Sequence, residues 1–441
     1  MIHRISATFQ QDAHLIEALL DMYSVNEDVF KFENFSLYLG LEDVLYITGL
    51  PIDGEPVTGI DTIDGDEECN KFLGISDCIN HENKIRNSVK LSWLKRFFEQ
   101  VPGEIDEDSP NFVYYVRAYA LFLIGTIILP DASGHAVQTH YLQLLEKIED
   151  IGKYAWGAAL LAHLKCGVKK YKESNICSLT GNSLVLQLFA FMRFSSLTRV
   201  VNTPIEHEVP LIVDWTITLQ KSSRNKNAKK SSAYYSELLN EVQEYEVIWK
   251  PYEGIKLPSY LENQLVIAMC KTILICFNEC FAHQPDSCPK QFGLTEVRSN
   301  LIESPKIKSK RRSAGTKGRN WEDGIFSSYI QLWRCRKEHF IGNPSHPLHP
   351  MRSPPPASSS SPHVSLGGAM RSPPPPASSS SPHVSQGGAM RSPPPPASPP
   401  PASSSSPHVS QGGAMRSPPP PASPPPASSS SLLLSTNNMQ C

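Results

Sequence analysis

The chain has 441 residues and a net charge of −2, and its composition divides it into two unequal parts. Residues 351–441 contain no Asp, Glu, Lys, Trp, Tyr or Phe, so they cannot bury enough apolar surface to offset the entropy of ordering. Their four arginines leave −6 on residues 1–350, which argues against broad phosphate-driven binding of nucleic acid. We predict one folded region over residues 1–342 and a disordered Pro/Ser-rich tandem-repeat tail over 343–441.

Cysteine usage and the longest apolar run bear on the cell compartment. Ten cysteines at irregular spacings, after a polar N-terminus, indicate reduced thiols in the cytosol or nucleus. The apolar run 118–129 is too short to span a bilayer and directly follows Arg117. We therefore expect a buried helix at this place and no membrane partner.

Helical and extended patterns alternate at the start of the chain. Apolar spacing predicts a helix over 14–23 and a short strand or hairpin over 30–39, where Phe and Leu roughly alternate. A second helix over 42–50 ends before Pro51, which lacks an N–H and restricts the residue before it. Residues 61–87 are polar and predict a loop with a short helix.

From residue 91 the helical patterns become strong, and 91–194 is the strongest part of the predicted core. One predicted helix begins at Leu91. The others span 111–129, 136–148, 152–171, 183–194, 234–246, 260–281 and 321–340. No segment has the pattern of a strand–helix–strand crossover. The predicted fold class is therefore mainly α, a multi-helix globular domain with a minor N-terminal β element.

Cys276, Cys280 and His283 are the best metal-binding candidates in the sequence. On a helix they lie at positions i, i+4 and i+7, hence on one face, and thiolate with imidazole suits zinc. However, the two-residue spacing of zinc knuckles is missing, and cysteine is commonly a small buried apolar residue. We predict no metal ion and no cofactor, and these three residues remain the candidates.

Motifs for catalysis are absent from the sequence. Asp131, His135 and His140 lie close together but do not form HExxH, and Asp131 with Ser133 suits the cap of a helix starting near His135. There is no GxxxxGK[ST], no GxGxxG after a strand and no GxSxG. We predict no catalytic residues and a protein that is not an enzyme.

Two basic linkers lie near 221–232 and 304–320. The denser one holds the candidate nuclear-import residues Lys306, Lys308, Lys310, Arg311 and Arg312. Phosphate contacts with nucleic acid and plain solvated charge are the alternatives that stay open.

Each tail repeat begins with an Arg-Ser-Pro sequence that a proline-directed kinase could modify. The candidate phosphorylation sites are Ser353, Ser372, Ser392 and Ser417. A tail that grew by tandem duplication and has no function is the alternative interpretation.

Seven segments resemble motifs of the plant mobile domain family, in the same order. They are LEDVLYITGLPIDGEPVTG (41–59), RAYALFLIGTIILPDASG (117–134), YAWGAALLAHL (154–164), LQLFAFMRF (186–194), VIWKPY (247–252), CPKQFG (288–293) and W…YIQLW…R (321–334). The resemblance covers about residues 14–342. The chain departs from the family in VFKFENFSLYLG, just before the first motif, and in the tail.

This resemblance implies a nuclear plant protein that acts in meristem development, genome stability and transposon silencing. Its expected partners are other proteins, among them phosphatase-like relatives. The residues do not support the family's "aminotransferase-like" label, because neither an α/β domain nor a plausible Schiff-base lysine is evident. The leading hypothesis is a non-enzymatic interaction scaffold. A transposon-derived nucleic-acid-binding module and an enzyme of unknown class are the alternatives.

Overall fold

The structure is a computed structural model that describes residues 11–62, 64–75, 87–99, 109–174, 178–198, 208–215, 230–294 and 318–342. Most of the regular structure in these ranges is helical. The α-helices are α1 (Ala13–Met22), α2 (Leu41–Thr48), α3 (Gly65–Leu73), α4 (Leu91–Glu99), α5 (Pro110–Leu123), α6 (Trp156–Ser174), α7 (Ser183–Arg193), α8 (Ser195–Thr198), α9 (211–215), α10 (Ser232–Asn240), α11 (Ser259–Glu262), α12 (Leu265–Ala268) and α13 (Ile325–Arg334).

Short strands form three small antiparallel sheets within the described ranges. The strands are β1 (Tyr23–Ser24), β2 (Val29–Lys31), β3 (Ser36–Leu37), β4 (Ser88–Lys90), β5 (Ala136–Gln138), β6 (Thr272–Cys276) and β7 (Glu279–His283). The sheet orders are β1-β2-β3, β4-β5 and β6-β7. The mainly helical class and the N-terminal β element are thus confirmed, but strands also occur well beyond the N-terminus.

The first two predicted helices are confirmed, and their ends follow from local chemistry. The carboxylate of Asp12 caps α1 by accepting the backbone N–H groups of His14 and Leu15. The C-terminus of α2 is followed by Gly49, which adopts a left-handed conformation with φ 63° that glycine permits at no steric cost.

Two predicted helices are wrong. Residues 136–148 form strand β5 and then a 3₁₀ segment (Thr139–Leu145), because β5 pairs with β4. Residues 260–281 form two single-turn helices followed by the β6–β7 hairpin. Every residue of β6 is buried, and an apolar run buried all round has the same pattern in a strand and in a helix.

The apolar core is continuous from Leu15 in α1 to Trp333 in α13. Helix α6 is central to it, since residues 156–164 are all buried. This helix packs against α2 on one side and against the β6–β7 hairpin. The side chains of α6 are therefore placed to meet the hairpin inside the protein.

Residues Asn111–Ile128 are long and apolar enough to cross a membrane by length and composition. Within this segment, the guanidinium of Arg117 donates to the carbonyl oxygens of Leu145 and Phe72 at 2.9 and 3.2 Å. These bonds hold the segment against the rest of the domain, but only 33% of its residues are buried, so the expected helix is half-buried rather than enclosed.

Candidate functional site

The described part of the chain buries several pairs of opposite charges in its interior. These pairs are Asp28–Lys165, Asp43–Arg193, His163–Glu279 and Lys271–Asp286. Taking two charges out of water is costly and is repaid only by close pairing and further hydrogen bonds. The side chains of these pairs are therefore candidates for a specific structural or chemical role.

The Asp43–Arg193 pair joins three of the motifs. Asp43 Oδ2 accepts the backbone N–H of Gly40 at 2.8 Å at the start of α2. Its Oδ1 accepts from Arg193 Nη2 at 2.6 Å and from the hydroxyl of Tyr252 at 2.8 Å. The guanidinium of Arg193 lies 4.2 Å from the ring centroid of Phe189. The polar side chains of these motifs thus bind one another inside the protein instead of facing the solvent.

A second contact joins the loop after α2 to the end of the domain. Arg336 Nε donates to Asp53 Oδ1 at 2.9 Å, and Trp333 Nε1 donates to the carbonyl oxygen of Gly54 at 2.9 Å. The positive charges of Arg336 and Lys337 outweigh the effect of burial and lower the pKa of Asp53. The hydrogen bond of Trp333 therefore joins the first motif to the last, and the charges of Arg336 and Lys337 hold the residues just after the last motif to the same loop.

Gln291, in the motif CPKQFG, binds Tyr38, which lies just before the first motif. Its side chain accepts the N–H of Tyr38 at 2.6 Å and donates to the carbonyl oxygen of Tyr38 at 2.9 Å. Both backbone groups of a buried residue are thereby satisfied, which avoids the cost of an unpaired polar group.

Glu42 is a partly buried carboxyl next to this network, and burial raises its pKa to about 7, with a further contribution from Asp43. Because the carboxyl of Glu42 binds its proton more tightly in the folded state than in the unfolded chain, the free energy of unfolding falls as the pH rises from about 4.5 to 7. We expect Glu42→Gln to raise the free energy of unfolding by about 1–2 kcal/mol at pH 8, and by nothing at pH 4.

Urea unfolding at the two pH values measures this difference. Glu33→Gln at an exposed position is the matched control and should change the free energy of unfolding equally at both. A gain for Glu42→Gln that is the same at pH 4 and pH 8 would contradict the explanation.

Lys165 on α6 is a buried lysine that the sequence did not single out. Its ammonium pairs with Asp28 and lies 4.0 Å from the ring centroid of Tyr38. Burial outweighs the pairing and lowers the pKa of Lys165. Only 2 % of the residue is exposed, so its amine is enclosed by the protein.

The His163–Glu279 pair lies where α6 meets the β6–β7 hairpin. His163 Nδ1 is 2.5 Å from Glu279 Oε2, and Lys170 Nζ is 2.5 Å from Glu279 Oε1. His163 Nε2 lies 3.0 Å from the carbonyl oxygen of Pro130. Burial raises the pKa of Glu279, but the charges of His163 and Lys170 outweigh it and bring this pKa to about 2.

Cys276 brings a thiol to the same place. It is paired directly with Glu279 across the hairpin, so both side chains emerge on one face. The ligand atoms of His163, Cys276 and Glu279 all lie within 4.8 Å of one another. Imidazole, thiolate and carboxylate are all zinc ligands, so these three residues could hold a metal ion.

The predicted trio Cys276, Cys280 and His283 does not form, because these residues lie on a hairpin and not on a helix. Cys280 follows Glu279 directly, and consecutive strand residues point to opposite faces. His283 lies at the other end of β7, about 13 Å from Glu279 at 3.3 Å per residue.

His283 has an internal role of its own. It is fully buried, with Nδ1 donating to the carbonyl oxygen of Cys270 at 2.9 Å and Nε2 accepting the N–H of Leu41 at 3.2 Å. Burial lowers its pKa to about 3, so the ring is neutral and joins the hairpin to α2.

The residues Asp131 and His140 have separate partners, and the backbone N–H of His135 donates to Ser133 Oγ at 3.2 Å. Asp131 Oδ1 accepts the N–H groups of Ser133 and Gly134 and closes a turn. The helix predicted to begin near His135 is wrong, because β5 follows this turn. The buried ring of His140 stacks on Phe277 at 4.0 Å between centroids, and its Nδ1 lies 3.4 Å from Asp61.

The remaining candidates lie outside the described residues. They are Lys306, Lys308, Lys310, Arg311, Arg312, Ser353, Ser372, Ser392 and Ser417. Sequence analysis also missed His163 and Glu279 as partners. The available signal was the two-residue interval between Cys276 and Glu279, flanked by apolar runs, which is typical of a hairpin.

The family model described as "Plant mobile domain" matches residues 1–341. The chain belongs to this family.

Similar proteins come from Arabidopsis thaliana. "Protein MAIN-LIKE 2" is 29% identical over 75% of this chain and 48% of its own length, so the chain spans about half of that relative. "Protein MAINTENANCE OF MERISTEMS" is 26% identical over 77% of this chain and 68% of its own length. "Serine/threonine-protein phosphatase 7 long form homolog" is 27% identical over 75% of this chain and 25% of its own length. No solved structure matches the chain.

Proposed function

We propose that this chain is a non-enzymatic nuclear plant protein whose helical domain is an interaction scaffold in meristem development, genome stability and transposon silencing. The name of the relative "Protein MAINTENANCE OF MERISTEMS" supports the developmental part. Its partners are other proteins, phosphatase-like relatives among them.

One observation carries the non-catalytic part of this proposal. The polar residues contributed by the motifs, such as Asp43, Arg193 and Gln291, are buried and bound to other residues inside the protein. A catalytic residue must reach its substrate, and perturbed groups in a cleft are the usual sign of one. Because these side chains point into the protein, they favour a structural role over a catalytic one.

Exposed apolar side chains support an interaction role. Tyr245 is 86% exposed and Tyr260 is 72% exposed, and Ile248 follows Tyr245 closely in the chain. Tyrosine is enriched at protein interfaces because its ring buries area while its hydroxyl stays hydrated.

Replacement of the Arabidopsis relative tests the developmental proposal. In plants that lack MAINTENANCE OF MERISTEMS, a fluorescent fusion of this chain should restore the meristem and accumulate in nuclei. The variant K310A/R311A/R312A should lose nuclear accumulation, whereas K169A/K172A, which removes partly exposed charge from α6, should keep it. A fusion excluded from nuclei that nevertheless restores the meristem would refute the nuclear part.

A transposon-derived nucleic-acid-binding module is the second candidate, supported by the basic linkers. Phosphate contacts by these lysines and arginines would give an affinity that falls steeply with salt. Purified protein that binds neither DNA nor RNA at low salt would eliminate this candidate. An enzyme of unknown class is the third, and no observation on the described residues favours it.

A further inference from the structure

We propose that His163, Cys276 and Glu279 form a zinc site, with a fourth position open to water. The proposal concerns a different part of the molecule from the exposed tyrosines and does not depend on the scaffold role. Of the three metal-binding candidates in the sequence, Cys276, Cys280 and His283, the site keeps only Cys276.

The geometry of the hairpin brings two of the ligands together. Cys276 and Glu279 flank the two-residue turn formed by Phe277 and Asn278, so their side chains start from directly paired positions. Phe277 adopts φ 50°, which is a genuine outlier for a bulky residue, and its N–H donates to the carbonyl oxygen of Val57 at 2.8 Å. The surrounding structure therefore maintains this tight turn against a steric cost.

Helix α6 supplies the third ligand from the other side. The three ligand atoms lie within 4.8 Å of one another. Zinc bonds of about 2.0–2.3 Å in a tetrahedron place neighbouring ligand atoms about 3.5 Å apart. Zinc binding needs the longest separation to shorten by about 1 Å and the 2.5 Å contact between His163 Nδ1 and Glu279 Oε2 to lengthen by about 1 Å, and small side-chain rotations achieve both.

Each ligand already has the second contact that zinc ligands need. The other ring nitrogen of His163, Nε2, lies 3.0 Å from the carbonyl oxygen of Pro130, which fixes the ring with Nδ1 facing the site. Lys170 binds Glu279 Oε1 and leaves Oε2 on the side of His163. The side chain of Tyr141 hydrogen-bonds to Cys276. Such outer contacts orient ligands and raise metal affinity.

The charges also balance when zinc is bound. Zinc displaces the proton at His163 Nδ1 and the thiol proton of Cys276, and both protons pass to solvent. A dication with one thiolate, one carboxylate and a neutral imidazole has no net charge, and Lys170 remains paired with Glu279. Without zinc, the same place holds only the ion cluster of His163, Glu279 and Lys170.

Metal analysis of the purified full chain tests the proposal. After dialysis against zinc and then against metal-free buffer, we expect about one zinc per chain by elemental mass spectrometry. Cobalt(II) in place of zinc should give the absorption band of a thiolate-to-metal charge transfer. Cys276→Ser should abolish that band and weaken zinc binding at least tenfold. Cys280→Ser, on the opposite strand face, is the matched control and should retain both.

Glu279→Gln is the second variant, in case Cys276→Ser does not fold, and circular dichroism reports folding for each. It should weaken zinc binding while the far-ultraviolet spectrum stays unchanged. Folded wild-type protein that retains no zinc, or zinc retained equally by Cys276→Ser, would overturn the proposal. Zinc retention without a thiolate band in the cobalt form would overturn it as well, because the metal would then lie elsewhere.

Discussion

Arg193→Met is expected to lower the free energy of unfolding by about 3–5 kcal/mol, because it leaves the carboxylate of Asp43 buried without its positive partner. The side chain of Arg193 is only 1% exposed and that of Asp43 only 3% exposed, so water cannot replace the lost charge. Methionine retains much of the apolar volume beside Phe189, so a cavity adds little to the loss. Urea unfolding followed by circular dichroism measures it.

Two further variants separate the charge effect from general damage. Adding Asp43→Asn to Arg193→Met removes the unpaired charge, so the double variant should recover at least half of the loss. Lys31→Met breaks the exposed pair with Glu27 and should change the free energy of unfolding by less than about 1 kcal/mol. A loss below 1 kcal/mol for Arg193→Met would show that the buried pair is not required.

Gly54→Ala is expected to lower the free energy of unfolding by about 3 kcal/mol, for two reasons that add. Gly54 adopts φ 132°, a conformation that residues with a Cβ rarely adopt. A Cβ at this position would also lie 2.2 Å from the carbonyl oxygen of Lys153, a backbone atom that cannot rotate away. The motif GLPIDGEPVTG therefore needs glycine here for steric reasons.

Gly152→Ala provides the matched control on the facing segment. A Cβ at Gly152 would meet nothing within 4 Å, and its φ is not in the left-handed region. Its effect should stay within about 0.5 kcal/mol, measured by the same urea unfolding. Equal effects of the two substitutions would contradict the steric explanation of the motif.

Local patterns were sufficient to predict the helices whose amphipathic period and end signals agree. α1 and α2 have both, and α7 begins directly after Asn182, whose side chain caps it by accepting the N–H of Leu184. Residues 272–276 lack such a signal, since a run buried on every side has no period. The pairing with β7 decides their conformation, and that pairing is a tertiary effect.

The contacts of the candidate sites could not be predicted in the same way. His163 and Glu279 are 116 residues apart, and nothing in either local sequence refers to the other. Cys276 was a metal-binding candidate in the sequence, but its partners Cys280 and His283 were chosen for a helix. The segment forms a hairpin instead, which gives Cys276 different neighbours. Pairs of this kind follow from the arrangement of α6 against the hairpin and not from spacing.

The bond between Arg336 and Asp53 has a consequence for the order in which the domain forms during synthesis. These residues are 283 positions apart, so the loop after α2 waits for almost the whole domain to leave the ribosome before its carboxylate is neutralised. Contacts of such high sequence separation slow folding because a long loop must close first. The loop after α2 therefore reaches its final contacts only once the residues that follow α13 have been synthesised.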